Sequence, residues 1–167
     1  MGKQTQEPVK TKEIQFVIFR LQDAEFGAEI SSVLEISRML EVTRLPEAPG
    51  FIEGVVNLRG QVIPVIHLAR QFKLSSGPLT SKTARIVVVD VGGETVGLMV
   101  DEVPEVLRMP ETQMEPPPEL TQSGVKQDYI KAVAKLGERL VIILDLSKVL
   151  ALQEIEALGK IVEKERE

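Results

Sequence analysis

Short apolar runs alternate with tight polar bends along this chain, and the pattern predicts a mainly β fold. Four pairs of runs are typical of β-hairpins, because each run is rich in strand-forming residues and each pair is separated by turn-forming residues. The predicted strand pairs are residues 14–21 with 26–30, 55–58 with 62–66, 85–91 with 95–100, and 129–136 with 139–146. Regular short strands with turn signals favour an all-β barrel or sandwich over a βαβ sheet.

A short helix is predicted after the first hairpin. Ser32 and Glu35 fit a capping box, in which each side chain bonds a free amide of the first helical turn. Val33, Ile36 and Leu40 follow at helical spacing. The segment is therefore expected to form a short helix between the first two hairpins.

Several prolines occur in the region after the third hairpin. The next roughly thirty residues, which contain Pro104, Pro110 and the prolines at 116–118, are therefore predicted to be irregular or to hold short edge strands. After the fourth hairpin, Ser147 is predicted to cap a C-terminal helix. The apolar stripe of that helix comprises Ile155, Leu158, Ile161 and Val162.

The second hairpin carries an arginine at its bend. The stretch Asn57–Gly60 separates the two apolar runs, so Arg59 is predicted to stand at a rigid corner. Such an arginine either contributes a weak surface ion pair or presents a charge to a partner, and composition does not choose between these roles. Pro64 lacks the N–H that a central strand donates, so residues 62–66 are predicted to lie at a sheet edge or a bulge.

Composition limits the class of protein. The chain has 167 residues and is 43% apolar, which is enough for one domain or for two small subdomains that share a core. A net charge of −5 argues against a nucleic-acid surface, which needs clustered Lys and Arg. Disulfides and cysteine-ligated metal are excluded because there is no cysteine. With neither a membrane span nor a signal-peptide core in the sequence, we expect a cytoplasmic protein.

Few residues suit catalysis. His67 is the one histidine and lies in an apolar run, so it is interpreted as a strand residue and not as a general base or metal ligand. Asp90, Asp101 and Asp145 end apolar runs, where acids usually cap a turn or helix. The sequence contains no phosphate loop or nucleophile elbow. We predict no catalytic residue, metal or cofactor; the alternative is a small hydrolase built on His67 and these acids.

Residues 51–68, Phe-Ile-Glu-Gly-Val-Val-Asn-Leu-Arg-Gly-Gln-Val-Ile-Pro-Val-Ile-His-Leu, closely resemble the signature of CheW-type chemotaxis coupling proteins. The resemblance extends over residues 13–152 and implies two small five-stranded SH3-like barrels that share crossover strands, with short helices. Residues 1–12 are then a flexible tail, and residues 153–167 a C-terminal helical extension. At position 67 the family more often has Asp, so His67 departs from its pattern.

The resemblance also implies a function. Such a protein is a non-enzymatic adaptor, without cofactor, that binds the regulatory domain of a chemotaxis histidine kinase and the cytoplasmic tip of chemoreceptors. It is recruited to membrane-associated receptor arrays without inserting into the membrane. Carried over by position, the predicted kinase-binding residues are Val17, Ile30 and Val33, and the predicted receptor-binding residues are Glu35, Arg59 and Val106. A peptide-binding barrel outside chemotaxis is the alternative that the residues alone permit.

Overall fold

The structure is a computed structural model that describes residues 12–75, 77–117, 127–150 and 157–161. Its strands are β1 (Glu13–Leu21), β2 (Ala24–Glu29), β3 (Val33–Arg38), β4 (Gly54–Leu58), β5 (Gln61–His67), β6 (Arg85–Val91), β7 (Glu94–Val100), β8 (Glu102–Pro110), β9 (Met114–Glu115), β10 (Ile130–Leu136) and β11 (Arg139–Leu144). Its short α-helices are α1 (Leu68–Gln71) and α2 (Leu146–Val149), and residues 157–161 are also helical. The four predicted hairpins are confirmed.

The strands form two curled sheets. The first sheet has the order β8-β1-β2-β11-β10-β9, and the second sheet has the order β3-β6-β7-β5-β4. Both are mixed, because β2 runs parallel to β11 and β5 runs parallel to β7. The chain enters the second sheet after β2 and returns to the first sheet after β7. This arrangement confirms a mainly β protein with two SH3-like barrels linked by crossing segments.

Buried apolar side chains form three clusters. The first-barrel core includes Phe16, Ile18, Met109, Val141 and Ile143. The second-barrel core includes Val56, Ile63, Val65, Ile86 and Val88. The shared core lies between the two sheets and includes Phe19, Leu21, Phe26, Val87, Val89 and Leu98. Each sheet therefore packs on its own inner face and also against the other sheet.

Strand β6 is buried on both faces. Ile86 and Val88 belong to the second-barrel core, whereas Val87 and Val89 belong to the shared core. Because successive side chains of a strand point to opposite faces, both sets must be apolar. The uninterrupted valine run of β6 follows from this position. Strand β1 bridges the first-barrel core and the shared core in the same way.

Four aromatic rings cross the shared core. The ring centroids of Phe19 and Phe26 are 6.1 Å apart, those of Phe26 and Phe72 are 5.9 Å apart, and those of Phe72 and Tyr129 are 5.7 Å apart. Phe19 and Phe26 lie on β1 and β2, Phe72 follows α1, and Tyr129 precedes β10. Ring pairs at these separations add to the stabilisation from burial. The row ties α1 to the first sheet.

The prediction of a helix after Ser32 is wrong, because this segment forms strand β3. One turn of 3-10 helix, Ile30–Ser32, precedes that strand. Half-buried and exposed side chains alternate along β3, and the strand pairs antiparallel with β6, where Val33 is opposite Val89. Pairing with a buried strand outweighs an apolar spacing that also fits a helix. Glu35 is consequently not part of a capping box.

The predicted edge position of residues 62–66 is also wrong. Strand β5 lies between β4 and β7 and is not an edge of the second sheet. Pro64 is opposite Val55 of β4, and the parallel ladder with β7 begins one residue later, at Val65. The missing N–H of Pro64 is tolerated because it falls where that ladder starts.

The proline-containing region after the third hairpin is an edge strand, as predicted, but it is not short. Strand β8 spans nine residues and pairs with β1 at the edge of the first sheet. The register shifts between Ile18 and Arg20, so Val103 and Pro104 lie opposite a single residue of β1. This bulge accommodates Pro104 in a paired strand.

The N-cap of α2 lies two residues before the predicted position. Asp145, and not Ser147, occupies the N-cap of α2, and its Oδ1 accepts a hydrogen bond from the Ser147 amide at 3.1 Å. A carboxylate at this position also favours the positive end of the helix. The sequence signal was present, because Asp145 directly follows an apolar strand.

The structure describes only part of the apolar stripe that was predicted for the C-terminal helix. Leu158 is fully buried in the shared core, and Ile161 packs against that core. Ile155 and Val162 lie outside the described residues, as do residues 1–11 of the predicted tail.

Asp101 holds three segments together where the chain returns to the first sheet. Its Oδ2 accepts the amide hydrogen of Gln22 at 2.8 Å, and its own amide donates to the Arg20 carbonyl at 3.0 Å. The Thr83 hydroxyl donates to the Asp101 carbonyl at 2.8 Å. Gln22 has a φ of 59°, which is costly for a residue with a side chain. Asp101 therefore stabilises a strained turn between β1 and β2.

We predict that Asp101→Ala lowers the free energy of unfolding by about 1 kcal/mol, because the Gln22 amide loses its acceptor. Urea unfolding followed by circular dichroism measures the change. Asp101→Asn keeps an acceptor oxygen, so its loss should stay within about 0.5 kcal/mol. An unchanged midpoint for Asp101→Ala, or equal losses for both variants, would contradict the assigned role.

Candidate functional site

The turn between β4 and β5 presents Arg59 to solvent. Arg59 and Gly60 have φ values of 52° and 88°, as expected for a two-residue hairpin turn that matches the strand twist. The Asn57 side-chain oxygen accepts the Gly60 amide hydrogen at 2.7 Å, which fixes the turn. The Arg59 side chain is 73% exposed. The predicted rigid corner with a displayed guanidinium is confirmed.

Arg59 bonds to the carboxylate of Glu35. Arg59 Nη2 donates to Glu35 Oε1. Glu35 lies on β3 and Arg59 follows β4, and these two strands are the opposite edges of the second sheet. The ion pair therefore connects the two edges of the curled sheet. The structure thus brings two of the three predicted receptor-binding residues into contact.

The third predicted receptor-binding residue lies on the other sheet. Val106 belongs to the edge strand β8 and is 46% exposed, which is high for a valine in a paired strand. Val106 is opposite Val17 of β1, so these two side chains lie on the same face of the first sheet.

The three predicted kinase-binding residues differ in accessibility. Val17 is only 1% exposed, so its side chain offers almost no contact area to a partner. Val33 is half-buried and packs against the shared core. Ile30 is 39% exposed in the 3-10 turn between β2 and β3. Of the three, Ile30 is the side chain that a partner can reach most directly.

Sequence reasoning did not identify Leu34 and Ile36 as surface residues. They are 56% and 40% exposed, and they lie on the same face of β3 because they are two residues apart. With Ile30, they place three exposed aliphatic side chains on one short stretch of chain. The alternation in Val33–Arg38 is a signal for a strand, but by itself it would assign the apolar Leu34 and Ile36 to the buried face, so no local pattern marks them as exposed.

A second charged cluster lies beside the turn between β10 and β11. Arg139 donates to the Glu25 carboxylate at 3.0 and 3.1 Å and to Glu105 Oε2 at 2.7 Å. The hydrogen bonds that Arg139 donates to Glu25, and secondly to Glu105, raise the pKa of its guanidinium above the ordinary value. Since Glu25 is on β2 and Glu105 on β8, the cluster joins three strands. We interpret Arg139 as structural, in contrast to the more exposed Arg59.

His67 takes part in local structure through both ring nitrogens. Its Nδ1 accepts the amide hydrogen of Arg70 at 3.2 Å, and its Nε2 is 3.0 Å from the Gly77 carbonyl oxygen. The residue is 3% exposed. A general base needs a nitrogen that a substrate can reach, and this ring presents none. The interpretation of His67 as a structural residue is supported.

The strand-end acids are also engaged in turns and caps. Asp90 Oδ1 accepts the Gly93 amide hydrogen at 2.9 Å, Asp145 caps α2, and Asp101 holds the first turn. Within the part of the chain that the structure describes, no three His, Asp or Glu side chains are grouped so as to hold a metal ion. The structural interpretation of these acids is confirmed.

Two curled sheets around a shared core define a two-barrel module, which presents a bend arginine and aliphatic strand residues to solvent. The model of the CheW-like domain family matches residues 15–154. The match includes most of the chain, so the protein belongs to the CheW family. Members of this family are scaffold and adaptor proteins and not enzymes, which excludes the hydrolase alternative.

Individual relatives agree with this assignment. The chain is 34% identical over 141 residues to the chemotaxis protein CheW of Klebsiella aerogenes, an alignment that covers 84% of each chain. It is 29% identical over 156 residues to CheW of Treponema pallidum, with 92% of this chain and 91% of the relative aligned. The crystal structure of the scaffolding protein TtCheW from Thermoanaerobacter tengcongensis superimposes with a TM-score of 0.76 at 32% identity, covering 90% of this chain and 96% of that chain.

These similarities make the protein a chemotaxis scaffold with the CheW fold. Among the described residues, no helix is long and apolar enough to cross a bilayer.

Proposed function

We propose that this scaffold couples chemoreceptors to a chemotaxis histidine kinase. In this proposal the cytoplasmic tip of the receptor binds a surface that includes Glu35, Arg59 and Val106, and the regulatory domain of the kinase binds beside Ile30 and Val33. The observation that carries the proposal is the exposed guanidinium of Arg59 on a fixed turn. The family assignment supports the choice of partners.

Arg59 is suited to a partner contact because its position is fixed before binding. The turn holds its backbone, and Glu35 orients its guanidinium. An arginine carries five N–H donors in a planar fork, so donors beyond the one used for Glu35 can serve a carboxylate or carbonyl of the partner. Preorganisation lowers the entropic cost of binding. The exposed ion pair itself is worth little for folding, since exposed pairs contribute about 0 to 1 kcal/mol.

Ile30 is suited to an apolar contact at the junction of the two sheets. Its turn carries the chain from β2 in the first sheet to β3 in the second sheet. Leu34 and Ile36 extend the exposed aliphatic surface along β3. Val17 pairs with Ala28, two residues before Ile30. We therefore assign Val17 a supporting role behind this surface and not a direct contact.

The adaptor acts by position and population, without chemistry of its own. By holding the receptor and the kinase in one geometry, it lets a change in the receptor shift the kinase between conformations. It acts on the cytoplasmic side of the membrane in receptor arrays, through proteins and not through lipid or nucleic acid. A net charge of −5 agrees with the absence of a role in nucleic-acid binding.

We predict that Arg59→Ala reduces receptor-dependent kinase activation about tenfold or more in a reconstituted mixture, because a charge-assisted contact is lost at the interface. Its free energy of unfolding should change by less than about 1 kcal/mol. Both residues carry a β-carbon, so the positive φ of the turn costs the same in each.

Arg44→Ala is the matched control. Arg44 is 78% exposed and is 3.2 Å from Glu53, so the variant removes a similar ion pair from a different surface. Activation should remain normal in this control. Unfolding of Arg59→Ala would make Arg59 structural, and equal activation by both folded variants would show that it makes no receptor contact; either result would contradict the proposal.

We predict that Ile30→Asp weakens binding of the kinase regulatory domain by about 2 kcal/mol, or about thirtyfold in Kd, because the complex must bury an unpaired charge. Isothermal titration calorimetry measures the affinity. Leu140→Asp is the control, since Leu140 is 57% exposed on β11. If folded Ile30→Asp binds as tightly as the control, the kinase contacts another surface.

A further inference from the structure

Two arginines lie side by side where β3 ends and β6 begins. Arg38 is the last residue of β3 and is directly opposite Arg85, the first residue of β6. Residues that are opposite each other on neighbouring strands have their side chains on the same face of the sheet, and like charges in such a pair destabilise it. An anion beside the two guanidinium groups would reduce this repulsion.

A cleft of about 460 Å³ lies beside this pair and contains a third positive charge. Lys82 contributes that charge from the turn before β6, and Ser81 of the same turn adds a hydroxyl. The lining residues that the structure describes are Arg38, Met39, Ser81, Lys82, Ala84 and Arg85. The cleft therefore combines three cations and a hydroxyl with two apolar side chains, and no carboxylate lines it.

The three cations have no carboxylate partner among the described residues, whereas most of the described arginines do. Ion pairs with glutamates are formed by Arg20, Arg44, Arg59, Arg70 and Arg139. Glu35 is bonded to Arg59 and lies three residues before Arg38, so its side chain is on the opposite face of β3. Because the whole chain has a net charge of −5, the positive charge of the cleft is a local feature.

Backbone contacts fix the shape of the cleft. Arg85 Nη1 donates to the Ala84 carbonyl at 2.8 Å and to the Lys82 carbonyl at 3.4 Å. The Ala84 amide donates to the Ser81 carbonyl at 3.2 Å, which closes the turn. The Thr83 hydroxyl ties this turn to the Asp101 carbonyl. A guanidinium also has donors on its other two nitrogens, so Arg85 can bind a ligand without leaving its place.

We propose that this cleft binds a phosphoryl group. A phosphate monoester carries about −1.5 to −2 charges at neutral pH and has three strong acceptor oxygens, whereas a carboxylate carries one charge and has two oxygens. A phosphoryl group therefore neutralises more of the charge of three cations, and guanidinium groups bind its oxygens in pairs. Met39 and Ala84 suit the carbon chain of the ester. Because no aromatic side chain lines the cleft, the stacking of a nucleobase has no support.

Isothermal titration calorimetry with pyrophosphate tests the cleft directly. Arg38→Gln combined with Lys82→Gln should raise Kd about tenfold or more, because two charge-assisted contacts are lost. Arg108→Gln combined with Lys148→Gln is the matched control, since it removes the same charge from two exposed residues outside the cleft. Its Kd should stay within about twofold of the unmodified protein, because salt screens distant charges. Absence of pyrophosphate binding to the unmodified protein, or equal Kd values for the two folded variants, would overturn the proposal.

Urea unfolding separates ligand binding from a structural role. Without anion, the cleft variant should unfold at the same or a higher midpoint than the unmodified protein, because the repulsion between Arg38 and Arg85 is relieved. Pyrophosphate should raise the midpoint of the unmodified protein and of the control, but not of the cleft variant, because a ligand stabilises the state that binds it. A lower midpoint of the cleft variant without anion would make these residues structural and contradict the proposal.

Three more ligands define the chemistry and the source of the group: phosphoserine, a short peptide that contains phosphoserine, and triglutamate. Triglutamate that binds as tightly as pyrophosphate would overturn the phosphoryl assignment, since the cleft would then recognise charge alone. Tighter binding of the phosphopeptide than of phosphoserine would assign the group to a phosphorylated protein, and equal binding would assign it to a soluble ester. These measurements need neither receptor nor kinase, so their outcome is independent of the proposed coupling function.

Discussion

The apolar layer between the two sheets holds both barrels in place. Each barrel is small and has a limited core of its own, so a large share of the buried surface must come from their contact. β1 and β6 contribute to this contact while also filling their own barrels, and Leu158 extends it from the C-terminal helix. The relative position of the two barrels is therefore set by packing and not by a flexible linker. A scaffold that passes a structural change from one partner to another needs such a packed contact between its two barrels.

Both proposed partner surfaces lie outside the contact between the two sheets and are exposed. The Arg59 turn lies at the far edge of the second sheet, and Ile30 lies where the chain crosses between the sheets. Exposed sheet edges tend to pair with other chains, and charged side chains commonly protect them. The Glu35–Arg59 pair has this effect on the second sheet, while Glu105 with Arg139 has it on the first. The same charges that keep the edges soluble can direct a specific partner to them.

The sequence predicted the hairpins and the Arg59 turn well, because β-branched runs and turn residues are local signals. It failed where tertiary packing decides. Residues 33–38 have a spacing that fits a helix, but pairing with β6 makes them a strand. The sequence around Val17 does not show that this side chain is buried, because its burial depends on the two neighbouring strands. The contact between Glu35 and Arg59 required the curl of the sheet, which no local pattern specifies. Two barrels, likewise, came from the family resemblance and not from periodicity.

Coupling of this kind requires that one molecule bind receptor and kinase at the same time, and sedimentation of a three-component mixture can detect such a complex. The unmodified protein would be mixed with the purified regulatory domain of the kinase and a cytoplasmic receptor fragment. We expect each partner to bind alone and all three proteins to sediment as one complex. Failure of the folded protein to bind either partner, as for a peptide-binding module outside chemotaxis, or displacement of one partner by the other would contradict the proposed coupling.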